Sequence, residues 1–267
     1  MSKIDAQSTA AQLRIACRAN ELTTPTSGLA LGYVQANLVV LPKEYAFDFL
    51  LFCQRNPKPC PLLDVTDPGD PEPKRVAPGS DLRTDLPRYA VYTQGKLTET
   101  PTDTLRWWRS DMVAFLLGCS FTFEAALLKA GLPVRHIEQG VNVPMFKTNI
   151  PNKKAGIFQG NLVVSMRPFP PDLVAKASSL SATMPQAHGA PVHLGDPSQI
   201  GIIDLQRPDF GDTVEIRPGE VPVFWACGVT PQVAIMQAKP SIALTHLPGH
   251  MFLTDLRESD LIHNCAD

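Results

Sequence analysis

The sequence is short of the motifs that usually announce a chemistry. No two of its six cysteines stand as CxxC, so no zinc knuckle or thiol–disulfide motif is spelled out. HEXXH and GxSxG are both missing, which removes the commonest metalloprotease and serine-hydrolase signatures. No phosphate loop or dinucleotide fingerprint occurs, and GLALG at 28–32 has neither the spacing nor the context of one. No apolar run reaches the ~20 residues of a membrane-spanning helix. The N-terminus is polar and amphipathic, unlike a charged-then-apolar leader. Excess charge is lacking too: 24 Lys and Arg against 26 Asp and Glu leave a net charge of −2. That balance argues against a nucleic-acid groove or a basic membrane patch. The absences leave a reduced, cytoplasmic, enzyme-like protein.

What the chain has in excess is proline, 26 residues in 267, against a usual share of about 5%. Long ordered loops between short elements are expected. It also nearly repeats itself. VAFLLGCSFTFEAALLKAGL at 113–132 and VPVFWACGVTPQVAIMQAKP at 221–240 share one grammar. Each is a short apolar run, a tight turn of small and polar residues, then a helical pattern. The alignment pairs Cys119 with Cys227, Ser120 with Gly228, Thr122 with Thr230 and Glu124 with Gln232. A strand feeding a helix N-terminus gathers free N–H groups and positive partial charge at one point, where an anion can sit.

The remaining segments place these units. Helical patterns cover 5–20, 43–54 and 171–181, the last opened by proline where the missing N–H costs little. Strand-like runs cover 33–42, 89–92, 155–167 and 200–205, with another after 241. GKLTETPTD reads as a turn region, and DFGDTVEIRPGEVP carries hairpin punctuation. LPRYAVY at 86–92 faintly echoes DPSQIGI at 196–202. The fold expected is a mixed-sheet, layered α/β domain with pseudo-duplicated strand–turn–helix units, plus a smaller inserted α+β domain. Residues 1–135 and 188–267 form the discontinuous main domain and 136–187 the insertion.

Three chemistries are open to the polar residues. His188, His193 and Asp196, or His246 and His250, could ligate a metal, although neither spacing is a strong signature. Cys119, at a helix N-terminus, could be a nucleophile. Glu124 or His193 could act as general base or acid, with Asp85 a further carboxylate. Arg83, on a long proline-rich loop, and Arg167 could offer forks to a substrate carboxylate. The site is expected where the turns at 118–124 and 226–232 face the loop at 188–196. No cofactor or metal is called for. The partner expected is a small carboxylate substrate, with self-association left open.

Several motifs also resemble those of a known family. GYVQANLVVLP, FCQRNPKPCPLLDV, DLRTDLPRY, LLGCSFTFEAAL, NVPMFKTN, VSMRP, HGAPVHLGDP, PVFWACGVTPQ and THLPGHMFLTD are similar to the motifs of the hydro-lyase-like group of the D-glutamate cyclase family. The resemblance spans about residues 10–258. It implies a two-part α/β bacterial protein and a carbon–oxygen lyase that releases water. Glu124, His193, Asp85 and Cys119 match its motif positions and, on their own chemistry, are the catalytic candidates. Arg83, Ser120, Asn142, Arg167, His188, Asp196, Thr230, Gln232 and His246 become substrate-binding candidates. The rival reading is a non-catalytic module that captures a small acid for a partner enzyme.

Overall fold

The computed structural model describes residues 4–262. Cys265 and the outermost ends of the expected main domain lie outside them. The first helix, α1 (Ala10–Arg18), starts from a capping box in which Thr9 and Gln12 satisfy each other's backbone N–H. It leads to β1 (Tyr33–Pro42), α2 (Lys43–Arg55) and β2 (Leu62–Val65). After a proline-rich loop come β3 (Tyr89–Thr93), β4 (Lys96–Glu99) and β5 (Met112–Gly118). Next are α3 (Phe121–Lys129), α4 (Arg135–Gln139), β6 (Met145–Pro151), β7 (Asn161–Phe169) and α5 (Pro171–Ala182). The chain closes with β8 (His193–Leu194), β9 (Val221–Ala226), α6 (Thr230–Ala238), β10 (Ile242–His246) and β11 (Phe252–Arg257).

Helices and strands are layered as the sequence predicts, and the strands form two sheets whose ladders run antiparallel. The larger has the order β2-β5-β1-β10-β3-β4, with β11 beside the first half of β1. The smaller has the order β6-β7-β9-β8. β1 explains the arrangement of the larger sheet. Its alternate residues Leu38 and Val40 join one apolar cluster, Val39 and Leu41 another. A segment buried on both faces reads as a continuous apolar run, as residues 38–41 do. The first cluster holds Phe123 and Leu127 of α3, Ala177 of α5 and Trp225 of the smaller sheet. The second holds Phe49 and Phe52 of α2 with Ala234 and Ile235 of α6.

The smaller sheet draws strands from both sides of residue 187: β6 and β7 lie within 136–187, β8 and β9 beyond it. The 136–187 segment therefore does not complete a sheet by itself, because β9 supplies the full-length neighbour of β7 from Val164↔Ala226 to Phe169↔Val221. Two local expectations also change. Residues 96–99, read as turn, pair with β3. Residues 200–205, read as strand, follow a 3-10 turn, Pro197–Ile200, whose cap is Asp196 and whose exit is Gly201 at φ 79°. Pro197 and the Asp196 cap favour the turn over extension. The echo between 86–92 and 196–202 has no structural counterpart, since only the former is strand.

Candidate functional site

The two repeated units converge. β5 and β9 are each followed directly by a cysteine, Cys119 and Cys227, and each turn opens a nine-residue helix. In the first, Thr122 N–H donates to Cys119 O (3.1 Å); in the second, Thr230 N–H donates to Cys227 O (3.0 Å). Thr122 Oγ1 accepts the N–H of Gln35 on β1 (3.1 Å), and Thr230 Oγ1 accepts that of Val163 on β7 (3.0 Å). Each threonine thus fastens its helix start to the neighbouring strand. Each thiol sulfur accepts a backbone N–H two residues on, from Phe121 or Val229. Neither helix has a side-chain cap from its N-cap residue, although the Phe121, Thr122 and Thr230 N–H groups are already paired and Pro231 has none to offer.

Between the turns lies a narrow cleft, with room for about one water molecule. Asn37, Cys119, Ser120, Cys227 and His246 border it, with Val143, Met145, Gly249 and Met251 among its apolar and backbone walls. Asn37 Nδ2 donates to Gly118 O (2.7 Å), holding the end of β5. The same amide leaves no room for a side chain on the opposite turn: a Cβ on Gly228 would stand 2.0 Å from it. The loop at 188–196, expected to face the turns, is not part of this wall; residues 246–251 take that place.

Below Ser120 lies a buried charge cluster. Arg167, 0% exposed, donates through Nη2 to Ser120 Oγ (3.0 Å), through Nη1 to Ser165 Oγ (3.1 Å) and through Nε to Glu124 Oε1 (3.1 Å). Its guanidinium also lies over the rings of Phe123 (5.2 Å) and Trp225 (5.5 Å). His136 Nε2 is 3.0 Å from Glu124 Oε1, and Ser27 Oγ donates to Oε2 (3.0 Å). Burial alone would raise the Glu124 carboxyl, but His136 and Arg167 outweigh it and hold the pKa at about 2. Glu124 is therefore an ionised anchor, where a general base would need a raised pKa.

The second unit carries a neutral counterpart. Gln232 Nε2 donates to His246 O (3.0 Å) and lies 3.3 Å from His246 Nε2, while its Oε1 accepts from Tyr92 (3.3 Å). His246 Nδ1 accepts the Leu38 N–H (3.1 Å). Burial lowers the His246 pKa to about 4, so the ring is neutral at pH 7. Burial also pushes the Cys227 thiol up to about 11 and the Cys119 thiol higher still. Both are thiols, so the helix N-termini do not make a thiolate nucleophile here.

The sequence model of the D-glutamate cyclase family matches residues 113–255, a span that holds both turns and every cluster partner named above except Ser27, Gln35, Asn37, Leu38 and Tyr92. A Geobacillus kaustophilus protein named "Putative hydro-lyase" is 64% identical over 91% of this chain and 93% of its own length. A Stutzerimonas stutzeri protein of the same name is 60% identical over 94% of this chain and 95% of its own. The chain belongs to the D-glutamate cyclase family. A nitrogen repressor-like protein of Methanococcus jannaschii aligns over 97% of the chain at 12% identity, with a TM-score of 0.41.

Within this family member, the remaining candidates stand apart from the cleft. Arg83, expected to offer its fork to a substrate, gives Nε and Nη2 to Asp81 (2.9 and 2.7 Å). Asp85, expected among the catalytic groups, is 0% exposed and bonds Arg18 of α1 (2.6 Å from Nη2), clamping the proline-rich loop to that helix. His193 donates through Nε2 to Asp196 O (2.7 Å), and Asp196 caps the following 3-10 turn by accepting from Ser198. These three satisfy one another locally, which is why a chemically dense stretch does not form a site. His188 is buried, with φ 76°, and donates through Nδ1 to Lys58 O (2.8 Å). Burial holds its pKa at about 4. Among the described residues, no three His, Cys, Asp or Glu side chains converge as a metal site. No described helix is long and apolar enough to cross a membrane.

Three residues of this site are not among the sequence-predicted candidates: His136 and Ser27, which complete the Glu124 cluster, and Asn37, which borders the cleft. Nothing in local spacing marks them. Asn37 alone carried a signal, a polar side chain in the middle of an apolar strand.

Proposed function

We propose that the protein is a hydro-lyase that removes water from a small carboxylic or amino acid at the cleft between the two turns, which must widen beyond its present room for about one water molecule to admit it, as a D-glutamate cyclase-like reaction would. The observation that carries this reading is the convergence of two helix starts without side-chain caps on one cleft, in a chain of this family. Loss of water next to a carboxyl, or cyclisation of an amino diacid, builds negative charge on a carboxyl oxygen. In the cyclisation the amine nitrogen bonds the distant carboxyl carbon, a carbon–oxygen bond breaks, and water leaves with the proton shed by nitrogen. Preorganised N–H groups at helix starts stabilise such charge without reorganising. Ser120 Oγ accepts from Arg167, which leaves its own proton free for the departing oxygen. The buried guanidinium raises the acidity of that hydroxyl. Arg167 and Glu124 act through Ser120, while His246 borders the cleft as a neutral imidazole positioned by Gln232.

Proton NMR of the protein mixed with D-glutamate, L-glutamate and a panel of small hydroxy acids tests the reading. Formation of 5-oxoproline or an unsaturated acid, lost in Ser120→Ala while the fold persists, is the expected result. Ligand line broadening without turnover would replace the enzyme with a module that captures a small acid. No binding and no turnover across the panel would remove the small-acid site.

A further inference from the structure

Three buried side-chain atoms have no hydrogen-bond partner among the described residues: Asn142 Oδ1, His188 Nε2 and Glu258 Oε2. Buried polar atoms in folded proteins are almost always paired, with protein, solvent or ligand. Of the three, Asn142 Oδ1 belongs to a residue packed against the back of the cleft wall. Asn142 is 8% exposed and precedes Val143, a wall residue. Its Oδ1 lies 2.6 Å from where a Cβ on Gly249 would stand, and Gly249 is another wall residue.

The amide is held in one orientation. Asn142 Nδ2 donates to Pro248 O (3.2 Å), and a flipped amide would set two acceptor oxygens against each other. Its backbone is held as well, by donation from its N–H to Asp212 Oδ2 (2.9 Å). Gly249, at φ 86°, brings bare backbone against the amide where any side chain would collide with it. The result is a fixed, buried acceptor next to a cleft that Asn37, Ser120 and His246 also border, between two helix starts.

Resting on the small-acid reading above, we propose that Asn142 Oδ1 is the specificity-determining group that accepts an N–H from the substrate's amine, while the helix starts hold its carboxyl. An acceptor without a protein partner favours a ligand that brings a donor. A ligand of the same shape without the donor leaves the atom unpaired and is rejected.

The test compares binding of D-glutamate with glutarate, the same diacid without its amine, by NMR titration of the full chain. D-glutamate should bind ten-fold or more tightly than glutarate. Asn142→Leu should abolish that preference by weakening D-glutamate and leaving glutarate unchanged. Asn142→Asp, which keeps an acceptor oxygen, should preserve it. The 13Cγ resonance of Asn142 in the unsubstituted protein should move with D-glutamate and not with glutarate, a readout that survives if either variant fails to fold. Equal affinities, a preference unchanged in Asn142→Leu, or a 13Cγ signal indifferent to D-glutamate would each overturn the assignment. Water loss from panel acids without amine preference would sink this proposal alone. Amine-selective binding without water loss would sink the hydro-lyase reading alone.

Discussion

The two strand–turn–helix units share a backbone and differ in what their helices reach for. In both, a threonine fastens the helix start to a neighbouring strand and a thiol accepts an N–H two residues on. In both, the first-turn residue crosses to the other sheet. Glu124, on the helix after β5, bonds Arg167 of β7; Gln232, on the helix after β9, bonds His246 of β10. The first crossing is ionic, with His136 and Arg167 around one carboxylate; the second is neutral. The turns differ for a steric reason: Asn37 leans on one of them, so Gly228 stands where the other has Ser120. The shared part is what backbone geometry requires of a strand entering a helix. The differences leave one half with the polar hydroxyl and the charge, and the other with the neutral imidazole.

The comparison breaks hardest at its ionic half. Arg167→Ala should cost about 3–5 kcal/mol in denaturant unfolding, because it strands a buried carboxylate. Gln232→Leu should cost less, roughly 1–3 kcal/mol, since only neutral partners are left unpaired. Equal losses would mean that the two crossings do not differ as their charges suggest. Making the turns alike should be costly by a different route in each direction. Gly228→Ser forces a Cβ into Asn37 and should destabilise by about 1–3 kcal/mol, whereas Ser120→Ala opens no clash but takes an acceptor from buried Arg167 and should also cost about 1–3 kcal/mol. The threonine pair sharpens the likeness: Thr122→Val and Thr230→Val each leave a strand N–H without its acceptor. Each should cost about 1–3 kcal/mol and the two should match closely; a large disparity would make the repeat superficial.

Acid should separate the halves by pH. His188 and His246, with pKa lowered by burial to about 4 in the fold, take up protons more readily when unfolded, where histidine titrates near ~6.5. Their contribution to stability is complete above that value and is lost as pH falls toward 4. Glu124, held at about 2, keeps its contribution above the unfolded carboxyl range near ~4.3 and loses it as pH falls toward 2. Melting temperature measured from pH 7 to 2 should fall in two stages, and Glu124→Gln should flatten only the lower one.

Much of this architecture was legible in the sequence. The repeated grammar of 113–132 and 221–240 located both turns, because a strand entering a helix demands the same small and hydroxyl residues each time. β1 and α2 followed from their apolar patterns. The partition of strands into sheets was not legible, since β9 joins β7 across 51 intervening residues and antiparallel pairing leaves no local mark. The charge cluster escaped for the same reason: Glu124, His136 and Arg167 meet only after the sheets dock. The stretch from His188 to Asp196 misled because polar density is a property of sequence, whereas convergence is a property of the fold.

The two crossings also bear on how the molecule assembles. Each helix start is completed by a strand of the other sheet, so neither half can bury its polar first-turn residue while the other is unformed. Contacts of such long sequence separation close late and slow folding. The cleft should then appear and vanish with the whole tertiary structure, in one cooperative step, and a partly denatured chain should retain neither half of it.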